Sequence, residues 1–288
     1  MSKIAFMSDL HIDSNHFGEE EIAILIKVLQ DQHIDHLHLA GDLSNNLAEV
    51  SLPFIQKLTK YFSVSYNLGN HDMLGMSSDE IESYGIQIQK FDSVYLVSLA
   101  GWYDYSFVPE KSLLEHLKIK NSFWFDRRLE RSEDDFTITQ TILKNLEETL
   151  ANLKGPIIIA LHFVPHRNFI YDHPYFQRFN AFLGSQSFHD LFKKYSVTDV
   201  VFGHLHHRHK TKMIEGIRYH MRPLGYTREW KMIGQFLAFN PQYQNLKNER
   251  LHKRYNAIRK LPTFKNYKTE HLAEELKDAL TIIDTKQF

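Results

Sequence analysis

The chain of 288 residues carries 43% hydrophobic and 24% charged side chains, a globular mix that excludes wholesale disorder and a fibrous repeat and admits one or two domains. It has no cysteine, which excludes disulfides, thiolate metal sites and a cysteine nucleophile, and which suits a reducing compartment. The net charge of −1 hides a split: residues 1–150 carry 12 Lys and Arg against 24 Asp and Glu, and residues 151–288 carry 22 against 11. Such asymmetry bears on charged partners rather than on fold, and an acidic front half in a chain with 18 His points to cations. No apolar signal-peptide core follows Met1, and no run approaches the roughly 18 apolar residues of a membrane span. The expectation is a soluble, cytoplasmic protein with no membrane partner.

Short β-branched runs alternate with helical patterns from the start of the chain. Ile4–Met7, Leu37–Ala40, Phe62–Tyr66, Val94–Leu99, Ile157–Leu161 and Val197–Phe202 read as strands, most of them buried on both faces. Glu19–Gln30 has helical spacing with acids leading, and Leu52–Tyr61 is a second helix that tolerates Pro53 in its first turn. This alternation predicts an α/β fold with largely parallel strands. Residues 105–150 mix aromatic and charged residues before a helix over Ile138–Leu150, too long for an ordinary connection, and read as an insertion that caps a site. Ile217–Pro223 and Gln235–Asn240 read as later strands, antiparallel in orientation. A catalytic domain over 1–240 is therefore expected, followed by a basic, partly helical appendage over 241–288. Residues 242–268 hold eight Lys and Arg against one Glu, and Leu272–Ile283 has an amphipathic helical pattern.

Five of the apolar runs end on residues of metal-ligand type. These ends are Asp9-Leu10-His11, Gly41-Asp42, Gly69-Asn70-His71-Asp72, His162 and Gly203-His204-Leu205-His206. Ligands of open α/β sheets bind outside the carboxyl ends of strands, so the five segments are placed to converge. Residues i and i+2 of extended backbone point to one side, which lets Asp9 with His11, and His204 with His206, address one centre. Oxygen and imidazole donors without sulfur suit Mn²⁺, Fe or Zn²⁺. Seven such donors exceed the needs of one ion and match two, roughly 3.5–4 Å apart with a bridging carboxylate.

The ordered set D-x-H, G-D, G-N-H-D, a lone His after a strand and G-H-x-H resembles the calcineurin-like metallophosphoesterase superfamily over roughly residues 3–225. The resemblance implies two mixed β-sheets packed face to face and flanked by helices, here with an inserted cap and a helical C-terminal tail. It implies that Asp9, His11 and His206 hold one divalent metal with Asp42, that Asn70, His162 and His204 hold a second, and that Asp42 bridges the two. It implies that His71 faces the substrate as general acid. One position departs from the pattern: many relatives carry an Asp three residues after the bridging one, in support of the catalytic His, where this chain has Asn45. Some diesterase branches also lack that Asp and share the Ser8-Asp9-Leu10-His11 opening, which favours a diester substrate over a monoester.

Further candidates are less determined. His166 and Arg167, with His173, follow the His162 strand within reach of a substrate phosphate. Tyr103 in Gly101–Tyr105 and Arg222 in Arg222–Tyr226 lie just after strands and resemble a bacterial phosphoesterase branch, with core packing the competing account of the aromatics. Asp72 reads as a turn-stabilising residue, His36 and His38 as packed strand residues, and His207 and His209 as solvent-facing. The leading function is dinuclear metal-dependent hydrolysis of a small phosphoester. The alternatives are a nuclease whose basic tail tracks a nucleic-acid backbone, and a metal-bearing scaffold for partner proteins. Oligomeric state is not legible in the chain.

Overall fold

A computed structural model describes residues 2–288. In chain order the first half contains β1 (Lys3–Met7), α1 (Glu19–Asp31), β2 (His36–Ala40), α2 (Leu52–Leu58), β3 (Ser63–Asn67), α3 (Ser78–Ser83), β4 (Gln87–Phe91), β5 (Val94–Leu99), α4 (Leu113–Phe123) and α5 (Asp135–Ala151). The second half contains β6 (Ile157–Leu161), α6 (Pro174–Gln177), α7 (Gln186–Phe192), β7 (Val197–Phe202), β8 (Lys212–Ile214), β9 (Ile217–Met221), α8 (Lys231–Phe239), α9 (Leu251–Ile258), α10 (Pro262–Asp278) and β10 (Thr281–Asp284).

The strands form two mixed sheets, a four-stranded one in the order β10-β1-β2-β3 and a six-stranded one in the order β4-β5-β6-β7-β9-β8. Strands β1, β2 and β3 run parallel, as do β5, β6, β7 and β9, while β10, β4 and β8 pair antiparallel at the edges. Alternation along each strand explains the layering. Ile4 and Phe6 of β1 join Ile158 and Ala160 of β6 in a core between the sheets, and Ala5 and Met7 face α1 and α10 on the other side. Ile157, Ile159 and Leu161 turn outward onto α5 and α7. The result is the expected four-layer α/β sandwich. Its central strands β1, β2, β5, β6 and β7 are buried on both faces because helices cover both outer surfaces, while edge strands β4 and β8 are partly exposed.

His36 and His38 sit buried in β2. They are satisfied by Ser63 Oγ (2.9 Å), Ser65 Oγ (2.7 Å from each) and Asn67 Oδ1 (2.9 Å), a cross-strand polar ladder on β3.

Two strand expectations are corrected. Gln235–Asn240 is not a strand: Met232, Ile233, Phe236 and Leu237 are buried on one face of α8, and the helical period outweighs the local apolar run. Ile217–Met221 is a strand, but parallel to β7 and antiparallel only to β8. The helical pattern expected over Leu272–Ile283 stops at Asp278, and Thr281–Asp284 forms β10 beside β1. The tail is helical in part, with Leu272 and Leu276 packed into the α1 side of the core. Among the described residues, no helix is long and apolar enough to cross a membrane.

Candidate metal centre

The carboxyl ends of β1, β2, β3, β6 and β7 lie together at one edge of the sandwich, so loops from both sheets meet there. Ladder-like hydrogen bonds continue beyond the strands, from Asp9 N to Gly41 O (3.0 Å) and from His11 N to Asp42 O (3.0 Å). Past these ends the backbone turns sharply. Asp9, His11, Asp42, His204 and His206 all adopt positive φ, between 41° and 73°. Non-glycine residues rarely adopt this region, and such strain concentrates at functional sites. The neighbouring glycines allow close approach. A Cβ on Gly69 would lie 2.2 Å from Asp42 Oδ1, and one on Gly203 would lie 2.1 Å from Asp9 Oδ2.

Two clusters of donors result, Asp9–His11–Asp42–His206 and Asp42–His162–His204, with the donor atoms of each within 4.8 Å of one another. Asp42 belongs to both. His11 Nε2 faces His206 Nε2 at 2.9 Å, and His162 Nε2 faces His204 Nδ1 at 3.2 Å and Asp42 Oδ2 at 3.3 Å. Imidazole lone pairs aimed at one another repel unless a proton or a cation lies between them. Asn70 Oδ1 lies 3.2 Å from His162 Nε2, which adds a neutral oxygen to the second cluster. Asp9, His11, Asp42, Asn70 and His162 are buried, the first two and His162 fully inaccessible, while His204 and His206 are partly exposed. Their chemistry and convergence fit two divalent cations.

Protonation follows from burial and charge. Burial and the neighbouring His206 hold His11 down at about 3, and burial with the neighbouring His162 holds His204 at about 3. Burial opposes charge on His206 and His162 too. There the carboxylates prevail: Asp9 and Glu229 raise His206 to about 10, and Asp42 raises His162 to about 9.

The groups that orient the donors lie far from them in the chain. Glu229 Oε2 lies 3.0 Å from His206 Nδ1 and accepts its proton there, leaving Nε2 for the cluster. His162 Nδ1 donates to Ala40 O at 3.2 Å with the same effect. The insertion reaches the site through Asp126, which accepts from Asn70 Nδ2 at 2.7 Å and so aims the amide oxygen inward. Phe125 stacks on His71 at 3.8 Å, and Tyr226 stacks on His11 at 4.3 Å. Asp72 accepts from the backbone N–H groups of Asp42 (2.6 Å), Leu43 (2.9 Å) and Gly69 (2.9 Å), which fixes the two loops to each other. Burial, reinforced by the charge of Asp42, raises Asp72 to about 7.

His71 stands beside the clusters, its Nε2 4.0 Å from Asp42 Oδ2. Its Nδ1 donates to Asn45 Oδ1 at 2.9 Å, and Asn45 Nδ2 donates in turn to Asp13 Oδ2 at 2.8 Å. Burial lowers the proton affinity of His71.

The five candidate substrate contacts have other surroundings. Exposed His173 caps α6 by accepting from Tyr175 N. Tyr103 is fully buried and stacked on Trp102, so it has no surface for a ligand. His166 is buried edge-on against His189 and accepts from Asn168 N. Arg167 is exposed on a short turn, and its backbone N–H donates to Gln186. Arg222 faces Asp278 of α10 at 3.9 Å. Core packing explains the aromatic motif better than substrate contact does.

Residues 2–208 match the model of the calcineurin-like phosphoesterase family. The chain is 24% identical over 261 residues to the acyl-carrier-protein phosphodiesterase PptH of Mycobacterium tuberculosis, spanning 78% of each protein. The solved structure of phosphopantetheinyl hydrolase PptH from Mycobacterium tuberculosis superposes with a TM-score of 0.62 at 20% identity, covering 80% of this chain and 91% of that one. A dimetal phosphatase from Danio rerio is also similar, with a TM-score of 0.49 at 14% identity over 76% of this chain and 86% of that one. With the strand ends of both sheets building a dinuclear phosphoester-hydrolysing centre, the chain belongs to the calcineurin-like phosphoesterase family.

Proposed function

We propose that the chain is a phosphodiesterase whose metal ligands are Asp9, His11, Asp42 and His206 on one side and Asp42, Asn70, His162 and His204 on the other, with His71 as general acid. The observation that carries this reading is the sharing of Asp42 between two clusters, with His71 Nε2 4.0 Å from its Oδ2. Divalent ions bound there supply Lewis acidity and an acidified water, and the sulfur-free donor set suits Mn²⁺, Fe or Zn²⁺.

The remaining steps belong to the chain. Asp42 is held by the Asp72 hydrogen bonds and the close approach of Gly69, and Asp9 by that of Gly203, so these two of the five donors at positive φ are pre-set before a phosphoester binds. Asn45 fixes the Nδ1–H tautomer of His71 and turns Nε2 toward the clusters. A proton on that Nε2 is available to the departing oxygen. Asn45 orients the ring without the charge that would hold it permanently protonated, which suits a donor that must release its proton. The same Asn, in place of the Asp of many relatives, favours a diester.

The test is turnover of metal-loaded protein on matched mono- and diesters. The panel includes an acyl-carrier-protein phosphodiester, the substrate class in the relative's name, and single-stranded nucleic acid. Diester hydrolysis exceeding monoester hydrolysis is expected; a clear monoester preference overturns the reading. Cleavage of the nucleic acid, together with binding that falls steeply with salt, would identify a nuclease acting through the basic tail.

A further inference from the structure

A cavity of about 500 Å³ lies among α3, α5 and the carboxyl ends of β3 and β5, and none of the metal-cluster residues lines it. Its volume falls in the range of small-molecule sites. Leu68, Met73, Ile81, Leu99 and Ile138 form a buried apolar wall. Helix α5 lines it with Ile138, Thr141, Ile142, Asn145 and Thr149. These residues share one helix face and extend over about 16 Å at 1.5 Å per residue, so the cavity is elongated.

Arg131 lines the cavity near the start of that face. Its guanidinium lies over the Trp102 ring at 4.7 Å, and Nη1 meets only the Met73 sulfur at 3.8 Å. Its Nε is buried without a hydrogen-bond partner, and among the described residues no carboxylate forms an ion pair with it. A partly exposed guanidinium whose buried Nε lacks an acceptor favours an anion that completes it, and its planar fork matches a carboxylate or phosphate. The acids that face the cavity, Glu82 and Glu133, are exposed; Glu82 accepts from Ser78 Oγ, and its charge, with those of Asp135 and Asp126, acts on Arg131 from beyond ion-pair distance.

We propose that this cavity binds a small linear amphipathic molecule, its anionic head on Arg131 and its apolar body along α5. The site is separate from the phosphoesterase centre, and residues 131–149 supply one wall of it opposite residues 67–101.

Calorimetric titration of the full chain tests it, with decanoate and decyl phosphate as anionic probes and decyltrimethylammonium as the cationic control, all below micelle formation. Saturable one-to-one binding of either anion is expected, and the tighter of the two identifies the head. Arg131→Met should weaken anion binding at least tenfold. Ile142→Trp, which fills the cavity and leaves the guanidinium in place, should abolish it. Failure of both anions to bind, unchanged affinity in either variant, or equal binding of the cationic probe would overturn the proposal. If Arg131→Met does not fold, retained binding in Ile142→Trp is sufficient to refute it.

Discussion

Asn45 Oδ1 accepts the Nδ1 proton of His71 at 2.9 Å, while the Asn45 side-chain amide is itself held by Asp13 Oδ2 at 2.8 Å. The imidazole is thus oriented by a neutral group whose own orientation depends on a carboxylate one residue further away. Replacement by Asp would place charge directly on the ring and raise its proton affinity. Asn45→Asp is therefore expected to extend activity on a poor leaving group to higher pH, and Asn45→Ala to lower that activity throughout. A pH–rate series on one alkyl ester checks both; superimposable profiles for wild type and Asn45→Asp would remove Asn45 from the mechanism.

His71→Asn should retain both metals and lose roughly 10²–10⁴-fold in rate on an alkyl ester, with a smaller loss on a nitrophenyl ester that departs without a proton. His204→Asn should lose metal and activity together on both esters. Metal analysis alongside two-substrate kinetics separates the cases. Equal slowing of both esters by His71→Asn, with metal lost, would make His71 structural.

Saturating metal should load two divalent ions per chain, and Asp42→Ala should weaken both sites because both clusters share its carboxylate. Glu229→Gln removes the negative charge facing His206 Nδ1, a side chain that also accepts from Tyr226 N and pairs with Arg228, and should reduce affinity at one site by roughly 10–100-fold. Elemental analysis and metal titration read both effects, and no more than one ion at saturation would exclude the dinuclear centre.

Metal uptake should release protons. In the metal-free protein His206 and His162, raised to about 10 and about 9, are charged at pH 7 and must deprotonate to bind metal. Uptake at pH 7 should release about two protons per chain, and affinity should rise with pH. An indicator dye in weak buffer measures the release. The same raised values stabilise the metal-free fold fully below the ordinary histidine value of 6.5, and that contribution fades as pH rises through about 9 and about 10. Thermal melts of metal-free protein from pH 6 upward should follow that decline.

Arg208, two residues beyond His206, pairs with the buried Glu275 of α10 at 2.7 Å. Glu275→Ala leaves a largely buried guanidinium without its partner and should cost roughly 3–5 kcal/mol of stability. Denaturant unfolding measures it; a change under about 0.5 kcal/mol, ordinary for surface positions, would show that the pair contributes little.

Asp9, His11, Asp42, Asn70, His71, His162, His204 and His206 could be picked out from the chain because each follows an apolar run, and parallel strands deliver their carboxyl ends to one edge. Residue type and strand-end position are local properties, and so is the alternation of short buried strands and amphipathic helices; the two face-to-face sheets follow only from what the family resemblance implies. The groups that orient these residues are not local. Asp126 lies 56 residues from Asn70, and Glu229 lies 23 residues from His206. Nothing in a window around either acid distinguishes it from a solvated surface charge. The sequence-based strand over Gln235–Asn240 failed for a related reason. A short apolar run fits a strand or a helix equally well until its packing partners are known, and here α9 and α10 supply a helical interface through Ile258 and Phe264. Tertiary placement encloses Tyr103 completely and leaves Arg131 facing a cavity, because only the fold decides which side chains packing covers.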